Sequence, residues 1–110
     1  MAHEISLDEA IKMTTLYREN KKAIDPQSLL ALSETFDRSA LDRILAQGDC
    51  KKLRIYYGMD EKKGVHAILV GVNEKDEDIL PKEGMEGDGE LAEDGRRCPN
   101  ECPPESPLNG

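Results

Sequence analysis

Cys98 and Cys102 are the residues of this chain whose type and spacing bear most directly on chemistry. Thiolates are soft ligands, and a zinc ion takes four of them or a mixture with imidazole. Cys50 and His66 are the donors that could complete such a set if the C-terminal segment folded back over the rest. No second close pair accompanies Cys98 and Cys102, so the first expectation is no cofactor, with zinc as the alternative. The C-x3-C spacing also departs from the C-x-x-C of thioredoxin-like redox sites. Three cysteines, an odd number, fit reduced thiols in the cytoplasm better than a disulfide framework.

Catalytic chemistry finds less support. His66 stands in the apolar run Val65–Val72, and acid–base work there would need a carboxylate and a nucleophile beside it. A half-buried, hydrogen-bonded strand histidine is the expectation. The acidic stretches at Asn73–Asp78 and Asp88–Glu90 lack the alternating oxygens, central glycine and terminal glutamate of a calcium loop, and read as solvated turns. No glycine-rich phosphate loop, G-x-S-x-G elbow or H-E-x-x-H motif occurs. No catalytic residue is assigned.

The elements that must position these residues are read from periodicity and caps. Ser6 and Glu9 form a capping-box pattern, and Leu7, Ala10, Ile11, Thr14 and Tyr17 recur at helical spacing, which predicts a helix over about 7–19. Asp25-Pro26 breaks the chain, and 29–36 is expected as a strand. Asp37 is the expected cap of a second helix that Gly48 stops in left-handed geometry. Leu53, Ile55 and Tyr57 alternate with Arg54 and Tyr56 as on a half-buried strand, and Val65–Val72 is apolar enough for a central strand. A polar hairpin loop joins them, and a short third strand is expected around Asp78–Leu80. The predicted fold is α+β, two helices packed on a small antiparallel sheet, with residues 1–80 as the domain.

Residues 81–110 differ in kind. They hold five of the six prolines and five of the nine glycines, with little apolar content. Gly84–Gly95 reads as a flexible acidic linker, because it cannot offset its ordering entropy by burial. Residues 96–109 are stiffened by four prolines and are expected to pack in extended, non-helical form against the domain or a neighbour, with the Tyr56 face as one candidate surface. Candidate partner-binding residues are therefore Tyr56, Arg54, Leu108, Cys98 and Cys102.

Charge and hydropathy narrow the classes further. The net charge of −8 repels phosphates and anionic lipids, which disfavours nucleic acid and membrane as ligands. No apolar run approaches the roughly 20 residues that span a bilayer. Arg54-Ile55-Tyr56-Tyr57-Gly58-Met59-Asp60-Glu61, the run His66–Val72 and the closing Cys98-Pro99 through Pro107-Leu108 together resemble a family of small bacterial proteins for which no activity is established. The likeness covers residue 37 onwards and implies only that the tail belongs with the domain. The expected function is a non-enzymatic cytoplasmic interaction or accessory protein, docking a protein partner or a second copy through its sheet face or its tail. Zinc binding is the alternative.

Overall fold

The structure, a computed structural model, describes residues 3–81, 91–92 and 95–109. It is an α+β fold with two helices and two small antiparallel sheets.

Helix α1 spans Leu7–Ile24. Ser6 caps it: its Oγ accepts the Glu9 amide at 3.0 Å, while Asp8 and Glu9 complement the dipole. The helix outruns its expected end because Asp25 closes it. The Asp25 amide donates to the Lys21 carbonyl, and the Asp25 carboxylate meets Lys21 Nζ at 3.1 Å. That carboxylate also accepts the amides of Leu29 and Leu30, both at 2.8 Å, so it ends the helix and holds the next loop. Burial pushes its pKa up, but the two amides and Lys21 outweigh burial and leave it below the usual carboxylate value.

The strand expected over 29–36 shortens to β1, Ser33–Thr35. Helix α2 covers Arg38–Leu45. Asp37 stands at its N-cap, yet its carboxylate accepts from Arg96 at 3.0 Å instead of from a helix amide. The helix ends three residues before Gly48, whose backbone is not left-handed, so the expected glycine stop is corrected.

Strands β2, Lys52–Met59, and β3, Val65–Val72, pair antiparallel over their full length. Asp60 shapes the turn by accepting the amides of Lys62 and Gly64. On the far side of β3 lies β4, Leu91–Ala92, which gives the order β2-β3-β4. The third strand expected around Asp78–Leu80 reduces to one bridge between Val72 and Asp78. Most of the expected linker at 84–95 lies outside the described residues.

Strand β5, Arg96–Cys98, pairs with β1 to form the second sheet. Arg97 ties the two sheets together: its guanidinium donates to the Val65 carbonyl at 2.8 Å and the Leu29 carbonyl at 3.1 Å. Glu34 of β1 accepts the Ala67 amide at 2.9 Å and faces Arg97 at 3.9 Å. The core forms where α2 lies on β3. Ile44, 1% exposed, packs on Leu69, with Phe36, Ala40 and Leu41 around them. Backbone and helix approach closely there: a Cβ at Gly71 would stand 2.9 Å from Gln47 Nε2, 3.0 Å from Cys50 Sγ and 3.3 Å from Ile44, so these side chains would have to shift.

Candidate interaction surface

Strand β3 has two backbone edges, and they meet different fates. The Gly71 carbonyl accepts from Ile79, the Val65 amide donates to Leu29, the Ala67 amide donates to Glu34, and Leu69 pairs with Ala92. Odd-numbered residues of β3 therefore point their backbone groups away from β2. By the alternation of an antiparallel ladder, Lys52, Arg54, Tyr56 and Gly58 bond to β3, while Leu53, Ile55, Tyr57 and Met59 turn theirs outward. Among the described residues, no segment pairs with that outer edge.

The same four residues share one sheet face with Leu69 and Gly71, the face that α2 covers. The helix reaches β3 and leaves β2 open. Leu53 is 40%, Ile55 49%, Tyr57 77% and Met59 66% exposed. The expectation that Leu53, Ile55 and Tyr57 are the half-buried face is thus corrected: an eight-residue helix covers one strand's width and no more. The sequence carried the signal, an unbroken alternation of apolar residues from 53 to 59. It did not show that the helix stops short.

The opposite face of β2 is polar and locked. Arg54 Nη1 meets Asp78 at 2.5 Å and Arg54 Nη2 meets Asp76 at 3.0 Å, while the Tyr56 hydroxyl donates to the second Asp78 oxygen. The hydrogen bond from Tyr56, aided by Arg54 and opposed by burial, holds the Asp78 carboxyl below its usual pKa, and the same bond raises the Tyr56 phenol. Tyr56 and Arg54 do stand together as expected, but facing Asp78. The described residues of the tail lie against α1 instead.

The tail packs elsewhere. Arg18 donates to the Leu108 carbonyl at 2.9 Å, and Leu108 with Pro103 closes a hollow of about 290 Å3 against Thr14 and Tyr17 of α1. Cys98, 4% exposed, is joined to Cys102 in a disulfide with the α-carbons 4.4 Å apart. The expectation of reduced thiols is corrected for this pair. The chain turns back after β5, with the Glu101 amide on the Arg97 carbonyl, and this return brings the two side chains within bonding reach.

The four proposed zinc donors are not brought together. Cys98 and Cys102 are consumed by each other, and Cys50 Sγ sits beside Gly71 and contacts the Lys52 carbonyl. His66 lies five residues away along β3, about 16 Å at strand spacing. Its Nε2 is 2.6 Å from Asp60. Among the described residues, no group of three or more His, Cys, Asp or Glu could hold a metal.

Among the described residues, His66 and Asp60 form an arrangement with a catalytic outline, a ring nitrogen oriented by a carboxylate. The bond to His66 holds the Asp60 carboxyl below its usual pKa, with help from the Gly64 and Lys62 amides. The shallow hollow beside them is lined by Gly58, Met59, Asp60, His66 and Ile68, with no hydroxyl or thiol. That set lacks a nucleophile. Among the described residues, no helix is long and apolar enough to cross a membrane. No protein-family model, curated protein or solved structure matches the chain.

Proposed function

We propose that this chain is a non-enzymatic interaction protein whose docking element is the outer face and edge of β2. The observation that carries the proposal is the row of Leu53, Ile55, Tyr57 and Met59, all substantially exposed on a strand whose outer backbone edge no described segment pairs with. Long apolar edge strands invite pairing, and monomeric proteins usually blunt them with proline, a bulge or inward charges. Between Ile55 and Met59, β2 carries none of these.

The sequence favours the cytoplasm, where Cys98 and Cys102 would be held as thiols, whereas the disulfide belongs to an oxidising compartment. The interaction surface is separate from this pair and serves in either.

Gel filtration of fresh cell extract tests the proposal. The wild-type chain should migrate in an assembly larger than its 12.2 kDa, and the double variant Ile55→Glu, Tyr57→Glu at the mass of the free chain. Wild type and variant both running as free chains would refute it.

A further inference from the structure

We infer that the occupant of the β2 edge is β2 of a second copy, joined about a two-fold axis into one continuous antiparallel sheet. The inference rests on the interaction reading above and names its partner.

Two copies of one strand pair symmetrically when each residue i faces residue j of the other with i + j constant, and directly opposed residues must share a face. Only even sums satisfy this. With Tyr56 opposite its own copy, Ile55 faces Tyr57, Leu53 faces Met59 and Arg54 faces Gly58. Leu53, Ile55, Tyr57 and Met59 present outward backbone groups, so the opposed pairs Leu53/Met59 and Ile55/Tyr57 are the ones that exchange hydrogen bonds.

Charge selects this register from its neighbours. It lays Lys52 against Asp60 and Lys51 against Glu61, twice over by symmetry. Moving one pair so that Tyr57 faces itself sets Lys52 against Lys62 and Lys51 against Lys63, two like pairs against the single attractive pair Arg54 and Asp60. Moving the other way, with Ile55 facing itself, sets Lys52 against Gly58 and Lys51 against Met59 and removes the attraction. The strand has a basic end and an acidic end, and a two-fold brings each onto the other. Opposed charges across strands favour a register and like charges oppose it. On the apolar face, eight side chains from two copies then form one patch between the two α2 helices.

The test uses the full chain. Sedimentation equilibrium at micromolar concentrations should give twice the chain mass. Tyr57→Pro removes an amide that points away from β3, so the intrachain ladder survives while the edge loses a donor. This variant should keep its circular dichroism and sediment as a monomer. Lys51→Glu with Lys52→Glu should weaken the dimer by about tenfold. For the register, cysteines are introduced singly in a Cys50→Ser background and oxidised gently. Tyr56→Cys should cross-link to its copy, because its opposed α-carbons fall within disulfide range. Ile55→Cys and Tyr57→Cys should not.

A monomeric wild type overturns the inference, as does a dimer that survives Tyr57→Pro. Cross-linking at Ile55→Cys or Tyr57→Cys in place of Tyr56→Cys overturns the register. A monomeric wild type that retains a different protein, lost in Tyr57→Pro, removes the second copy and leaves the interaction reading standing. A monomer that retains nothing removes both.

Discussion

Replacing Arg97 with methionine should separate the two sheets without emptying the space between them. Methionine keeps an unbranched apolar stem and loses the guanidinium. Three contacts go with it: the bond to the Val65 carbonyl at 2.8 Å, the bond to the Leu29 carbonyl at 3.1 Å and the ion pair with Glu34 at 3.9 Å. Leu29 keeps the Val65 amide, so its carbonyl stays satisfied, whereas the Val65 carbonyl loses a charged donor. A hydrogen bond to a charged group contributes about 1.5–3 kcal/mol. Glu34 is 14% exposed at its side chain and would lose its facing cation, but the pair is long and Ala67 still donates to it. That adds less than the full cost of breaking a buried pair. The sum is about 2–4 kcal/mol, which with a urea slope of about 1–1.5 kcal/mol/M moves the midpoint down by about 1.3–4 M. Urea denaturation followed by circular dichroism measures it, with Arg97→Lys as a partial rescue. A midpoint lowered by less than about 0.3 M would refute the claim that Arg97 joins the sheets.

Ser6→Ala should cost about 0.5–2 kcal/mol in the same assay, because the Glu9 amide loses its acceptor. Under non-reducing conditions one thiol, Cys50, should react after unfolding, and three should react once reductant is added; three without reductant would remove the disulfide. Asp25, Asp60 and Asp78 all have pKa values below the ordinary 3.8, so their stabilisation is complete above that value and is lost as pH falls through the lower folded values. Stability should therefore decline with acid below about pH 4, and Asp78→Asn should flatten the decline in denaturation midpoints taken from pH 5 to 2.

What could be read from the residues in advance was whatever depends on neighbours in the chain. The Ser6 cap, the β2–β3 hairpin and the α+β class follow from local spacing and from turn residues, whereas Leu7 and Tyr17 of the expected α1 face stand exposed. Asp25-Pro26 was legible as a break, but not that the helix runs on to it, because the partners that fix the Asp25 carboxylate, Leu29 and Leu30, lie beyond a proline, outside any helical pattern. The β1–β5 pairing could not be seen, since nothing local in Ser33–Thr35 points to Arg96–Cys98. The interaction surface was half legible. Alternation placed Leu53, Ile55 and Tyr57 together, but which face a strand buries depends on how far α2 reaches. The disulfide turned on the path of the chain after β5, and cysteine spacing alone leaves that open.

The pairing of Ser33 with Cys98 also bears on the order in which the molecule assembles. Bringing those residues together closes a loop of about 65 residues, against about six for Met59 and Val65, and the longer closure costs about 2 kcal/mol more entropy. The hairpin therefore forms early and the β1–β5 ribbon late. Until the ribbon arrives, Glu34 and Arg97 are not in place on β3, and its outer edge at Val65 and Ala67 is as bare as the β2 edge. The nascent sheet is then open on both sides, a template for chain growth in two directions, and the ribbon closes one of them. Substitutions in β5 should accordingly leave the refolding rate nearly unchanged and accelerate unfolding, the signature of contacts made after the transition state.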